Sequence, residues 1–176
     1  MTAKDIKIER AWAMPNKWTF TIKPIWKLIQ EELTDGVWID PFCGKYSPAT
    51  IKNDLNPEIE ADFHLDALIF LQKQKTNCAD GAFYDPPYSM HQAAEVYKKY
   101  GIEKLKHGVA NMKYWSDIKK ELARIIMVGG KAICCGWNTG GIGKNGGFDM
   151  CRILIVNHGG NKNDTLVTVE RKNTLL

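Results

Sequence analysis

Three short stretches that read as strands each carry an aspartate at or near their end. Val37-Trp38-Ile39 runs into Asp40, the stretch 49–55 carries Asp54, and Ala82-Phe83-Tyr84 runs into Asp85. Stretches of helical spacing precede and follow them. Ile25, Leu28, Ile29 and Leu33 predict a helix over 22–33, with Pro24 in its first turn and Thr34-Asp35-Gly36 stopping it. The stretch 64–74 reads as a short helix, and 92–100 and 114–127 as longer ones. Val128-Gly129-Gly130 reads as a turn leading into a buried strand, 131–135. A glycine-rich loop, 136–147, follows. The strands 151–156 and 165–170 are joined by the turn-rich stretch 158–164, which predicts an antiparallel hairpin. Strands alternating with helices predict an α/β fold with an open, mainly parallel sheet. Ligands of such sheets sit beyond the carboxyl ends of the strands, so Asp40, Asp54 and Asp85 are expected to line one crevice.

At 176 residues the chain suits one domain over 1–176, with no separate target-recognition domain. No apolar run is long enough to span a membrane, and the start of the chain does not read as a signal peptide, so a cytoplasmic location is expected. The net charge of +4 permits a nucleic-acid partner without requiring one. The lysines at 98–99, 104, 106 and 119–120 read as solvated helix faces. Five cysteines with no CxxC spacing, and four histidines without ligand spacing, predict no disulfide framework and no metal site.

Asp85-Pro86-Pro87-Tyr88 carries the most chemistry. Each proline fixes its own φ, lacks an N–H and restricts the residue before it. The Asp85 carboxylate and Pro86 carbonyl are therefore free acceptors beside the flat Tyr88 ring. Two acceptors against an aromatic plane suit a planar ring bearing an amino group; a proline-rich turn closing a buried strand is the plainer alternative. The segment resembles the catalytic motif of the amino-methyltransferases, which methylate N6 of adenine or N4 of cytosine. Asp40-Pro41-Phe42-Cys43-Gly44 resembles the start of the same family's S-adenosylmethionine motif. The family pattern continues with a small residue and a second glycine, where this chain has Lys45-Tyr46-Ser47-Pro48.

The resemblance implies roles for further residues. Asp40 would attract the cofactor's cationic end, with Pro41, Phe42 and Gly44 close by. Asp54, with Leu55, would bind the ribose hydroxyls; an Asx-turn in Asn53-Asp54-Leu55-Asn56-Pro57 is the alternative. Asp66 would accept from the cofactor's adenine, with Ala67 stacking nearby; a helix cap is the alternative. Lys23 or Thr21 would reach the methionine carboxylate, and Lys45 either does the same or points into solvent. Ser89, Trp137 and Asn138 would help Tyr88 form the base pocket. The chain thus resembles small phage-type or orphan adenine-specific DNA amino-methyltransferases. That implies a Rossmann-like class I fold with a mainly parallel seven-stranded sheet and a C-terminal antiparallel hairpin. It also implies S-adenosyl-L-methionine as cofactor and DNA as partner; because no recognition domain is visible, specificity is expected to be low or to be supplied by a homodimer partner or a separate specificity protein. An RNA or other amino substrate, or a non-catalytic subunit, is the alternative.

Overall fold

The protein is described here by a computed structural model covering residues 5–100 and 112–174. One seven-stranded sheet organises these residues, in the order β1-β6-β7-β5-β4-β2-β3. The strands are β1 (Lys7–Trp12), β2 (Trp38–Asp40), β3 (Ile51–Lys52), β4 (Ala79–Tyr84), β5 (Ile126–Gly136), β6 (Phe148–Asn157) and β7 (Thr165–Lys172). Only β7 runs against the others, pairing antiparallel with both β5 and β6. The helices are α1 (Lys23–Glu32), α2 (Ala67–Gln72), α3 (Met90–Lys99) and α4 (Met112–Ile125). This is the expected α/β architecture, a mixed, mostly parallel sheet with a terminal hairpin. Among the described residues no helix is long and apolar enough to cross a membrane.

Strand periodicity sorts the core into two layers. Ala82 and Tyr84 of β4, with Ala132 and Cys134 of β5, face α2 and α4. Their neighbours Phe83, Ile133 and Cys135 face α1, under Phe20, Ile25, Leu28 and Ile29. Successive side chains point to opposite faces, so each short run feeds both layers. Fully burying one such side chain contributes about 1.5–3 kcal/mol. The close fit shows at Gly81, where an added Cβ would lie 2.7 Å from the Trp38 ring.

Four readings of the sequence change. β1 was not anticipated: Lys7-Ile8-Glu9-Arg10-Ala11-Trp12 is charged and mostly exposed, as befits an edge strand. It pairs in parallel with β6. The strand expected over 49–55 shrinks to Ile51–Lys52, because Asn53 turns its hydrogen bonding to neighbouring loops. The helix expected over 64–74 starts at Ala67, where Asp66 Oδ1 accepts from Ile69 N at 3.1 Å. The turn at Val128-Gly129-Gly130 lies within a continuous β5. Ala79 pairs with Ile126 and Gly81 with Lys131, so the extra residues form a bulge, with Gly129 at φ +88°.

Candidate active site

The six parallel strands deliver their carboxyl ends to one edge, and two adjoining cavities open there. The larger is about 520 Å³ and lies over the ends of β2 and β4. The smaller, about 210 Å³, lies over the ends of β4 and β5. Pro86, Pro87 and Tyr88 line both. The segment singled out from sequence is therefore the wall between two chambers.

Asp85 lines the larger cavity. Its Oδ1 accepts from the Tyr88 hydroxyl at 2.8 Å, and that hydroxyl lies 3.4 Å from Thr19 Oγ1. Burial pushes the Asp85 carboxyl up to about 6, against the lowering effect of its Thr19 and Tyr88 hydrogen bonds. Burial likewise drives the Tyr88 phenol upward, so it remains an O–H donor. Among the described residues no donor reaches the Pro86 carbonyl. Tyr88 N donates to Gln92 Oε1 at 3.0 Å, and Ser89 caps α3 by accepting from Gln92 N at 3.2 Å. These bonds hold the motif against the helix that follows it.

Pro41, Phe42, Gly44, Asp54, Leu55 and Ala67 all line the larger cavity. Asp54 joins two loops: Oδ2 accepts from Gly44 N at 2.9 Å and Oδ1 from Asn56 N at 2.8 Å. The Asx-turn is therefore present, and it aims the carboxylate into the cavity with lone pairs to spare. Gly44 sits at φ +51°, and a Cβ there would lie 3.2 Å from the Trp18 ring. Both facts explain the glycine.

Three expected contacts are corrected. Asp40 is fully buried and lines neither cavity. Its Oδ1 accepts from Phe42 N at 2.9 Å and its Oδ2 from Ser47 Oγ at 2.6 Å. Burial pushes its carboxyl up to about 7, and the nearby Asp85 and Asp54 charges add to this. It braces the loop from beneath, and Ser47 of the divergent Lys45-Tyr46-Ser47-Pro48 stretch supplies the brace. Asp66 is 5% exposed and its carboxylate is committed elsewhere. Besides capping α2, its Oδ2 accepts from the Tyr97 hydroxyl at 3.0 Å and the Tyr114 hydroxyl at 2.6 Å. Lys23 is exposed at the start of α1 and lines neither cavity, and Thr21 is spent on the Trp18 carbonyl at 2.8 Å. Lys45 does lie at the cavity, its Nζ over the Tyr46 ring.

Ser89, Trp137 and Asn138 line the smaller cavity with Tyr88. The Tyr88 and Trp137 rings meet edge to face, with centroids 5.8 Å apart. Asn138 Oδ1 accepts from Gly140 N at 2.8 Å, so it shapes the glycine-rich loop. Lys119 and Trp115 complete the lining. Residues 101–111, including Lys104 and Lys106, lie outside the described residues.

Sequence reasoning missed two organisers. Asn53 is 1% exposed; its side chain donates to the Pro41 and Leu65 carbonyls and accepts from Leu65 N, all within 3.1 Å. Glu170, buried on β7, accepts from Ile142 N at 2.6 Å and Gly143 N at 3.1 Å, anchoring the loop beside the smaller cavity. A Cβ at Gly141 would come within 2.2 Å of its carboxylate. Asn53 stood in the Asn-Asp-x-Asn-Pro run, but nothing local marked it as buried. Glu170 gave no signal, because its loop partner lies across the fold.

No family model and no curated protein matches the sequence. Solved structures do match its fold. TrmN from Thermus thermophilus superposes with a TM-score of 0.56 at 14% identity, over 86% of this chain. The chain spans 49% of that protein's length. A 1,6-didemethyltoxoflavin-N1-methyltransferase from Burkholderia thailandensis, solved with bound 1,6-didemethyltoxoflavin and S-adenosylhomocysteine, gives 0.56 at 11% identity, covering 85% of this chain and 76% of that one. The N-methyltransferase NodS from Bradyrhizobium japonicum gives 0.54 at 10% identity, covering 86% and 96%. The fold is the Rossmann-like fold of S-adenosylmethionine-dependent methyltransferases.

Proposed function

We propose that this protein transfers a methyl group from S-adenosyl-L-methionine to the exocyclic amino group of a base in DNA, N6 of adenine. The observation that carries the reading is the shared wall. Asp85-Pro86-Pro87-Tyr88 separates a cavity of cofactor size from one walled by Tyr88 and Trp137. The fold's solved neighbours include methyltransferases acting on nitrogen.

The larger cavity fits the cofactor's chemistry. Asp54 keeps acceptor capacity for ribose hydroxyls. Leu55, Ile59, Leu65 and Ala67 give a planar adenine an apolar seat. Gly44 leaves backbone accessible beside them. When bound, the cofactor supplies an electrophilic methyl group on a sulfonium.

The chain's own residues do the rest. The target nucleotide leaves its stack and its base enters the smaller cavity, beside Tyr88 and Trp137. The Asp85 carboxylate and Pro86 carbonyl accept the two amino hydrogens. This draws the nitrogen lone pair out of ring conjugation and aims it through the wall at the larger cavity. Positioning of this kind contributes several kcal/mol. As the new N–C bond forms, Asp85 takes up the amino proton, a role suited to a carboxyl near 6. An aspartate in the first position of the motif, by resemblance, favours adenine over cytosine.

The test is transfer of labelled methyl from S-adenosylmethionine to unmethylated DNA, followed by nucleoside mass spectrometry. The expected product is N6-methyladenine. Label absent from DNA, with the cofactor bound, would overturn the reading.

A further inference from the structure

Three lysine–aromatic dipeptides from three separate segments converge on the mouth of the larger cavity. Lys17-Trp18 precedes α1, Lys45-Tyr46 follows β2, and Lys99-Tyr100 ends α3. All six residues line the cavity. Each ammonium lies against its own neighbour's ring, at 4.9 Å from the Trp18 centroid, 5.4 Å from Tyr46 and 5.2 Å from Tyr100. The Trp18 and Tyr46 rings also touch edge to face at 6.0 Å.

The charges on this rim are not spent internally. Lys7, Lys27, Lys113, Lys120 and Lys131 form ion pairs with carboxylates elsewhere in the fold. Lys17, Lys45 and Lys99 form none among the described residues. The nearby acids are turned inward: Asp54 is bonded to Gly44 and Asn56, and Asp85 to Tyr88. The outer rim is therefore cationic and aromatic, and the floor acidic.

Ammonium groups alternating with aromatic faces are the chemistry of a single nucleic-acid strand. Lysines take the phosphates, and unstacked bases lie on the rings. Bases inside a duplex stack on each other and offer no free face. We infer that this rim is a binding track for single-stranded DNA, and that the protein acts on single-stranded or locally unpaired DNA in preference to duplex. This inference rests on the methyl-transfer reading above, because the rim surrounds the cavity that shares its Pro86-Pro87-Tyr88 wall with the Tyr88–Trp137 pocket.

The experiment is fluorescence anisotropy of one labelled oligodeoxynucleotide, single-stranded and annealed, over a salt series with S-adenosylhomocysteine present. The single strand is expected to bind about tenfold tighter than the duplex. Tyr46→Ala, at a ring 45% exposed, should lose roughly tenfold in single-strand affinity. Replacing Lys17, Lys45 and Lys99 together by alanine should lower the slope of log K against log salt by about 2. Calorimetric titration of the same variants with S-adenosylhomocysteine reads whether these side chains serve the cofactor instead. Equal or tighter duplex binding overturns the inference, as does an unchanged salt slope. Loss of S-adenosylhomocysteine affinity with strand binding intact also overturns it, by giving the lysines to the cofactor. Strand binding as expected without methyl transfer to adenine would sink the catalytic reading instead and leave the track standing.

Discussion

At the scale of single residues, the site is built against its own stability. Asp40 and Asp85 titrate near 7 and 6, above the ordinary 3.8, mainly because both are buried. A carboxyl whose folded value is raised holds its proton more tightly when folded. Its contribution is therefore most favourable below about pH 4 and is lost as pH rises through about 6 to 7. Asp85→Asn removes the buried charge. It should raise the midpoint of thermal unfolding by a few degrees at pH 8 and change it little at pH 4, roughly the effect of one or two kcal/mol in a chain this size. A lower midpoint at pH 8 would contradict this. In the parent protein, kcat/KM should fall about tenfold per unit below pH 6, because only ionised Asp85 accepts the amino hydrogens and then the proton. Asp85 and Tyr88 were legible in sequence because prolines fix the backbone around them whatever the tertiary context. Asp66 was not, since two acceptor roles for an aspartate before a helix look alike until Tyr97 and Tyr114 arrive from α3 and α4.

At the scale of elements, α3 follows the segment Asp85-Pro86-Pro87-Tyr88 and is held down by few residues. Ala93 and Tyr97 are its buried positions, and the Tyr97 hydroxyl reaches Asp66 at 3.0 Å and Tyr114 at 2.6 Å. Asp66 thus starts α2 and joins it to α3 and α4. Asp66→Ala removes a helix cap and strands two buried hydroxyls. Denaturant unfolding should show a loss of about 2–5 kcal/mol, from a cap worth up to about 2 and one or two unpaired groups at about 1–3 each. A loss under 1 kcal/mol would mean that the tyrosines find other partners. Helices α1 and α4 were readable from the sequence because each buries a stripe at helical spacing. β1 was not, because an exposed edge strand buries too little to write an alternating pattern. β3 read too long, because Asn53 gives its side-chain bonds to Pro41 and Leu65.

At the scale of the whole molecule, support and chemistry lie apart. Glu31 and Glu32 end α1, where the helix dipole disfavours acids. Arg152 answers them from β6, reaching Glu31 at 2.7 Å, Glu32 at 3.1 Å and Glu9 of β1 at 2.5 Å, while Lys131 of β5 reaches Glu32 at 2.9 Å. This network ties the unanticipated edge strand to the sheet. Arg152→Met takes the shared cation from three carboxylates that keep only Lys7, Lys27 and Lys131, and should cost about 1–3 kcal/mol in denaturant unfolding. The affinity for S-adenosylhomocysteine should not move, because the network lies away from the strand ends. A variant with intact stability and weakened cofactor affinity would contradict this division. The mainly parallel sheet and its antiparallel hairpin followed from the alternation of elements, whereas the strand order did not. The long-range ties, Glu170 to its loop and Arg152 to α1, left no local mark, because both partners look solvent-facing when read alone.

The central claim is that the wall between the two cavities performs amino-group methylation. Its most direct test is labelled methyl transfer to single-stranded DNA by the parent protein and by Asp85→Ala, with calorimetric titration of S-adenosylhomocysteine on both. The account predicts N6-methyladenine from the parent, at least a hundredfold less from the variant, and equal cofactor affinity. Parent-level transfer by Asp85→Ala, with cofactor bound, would contradict it.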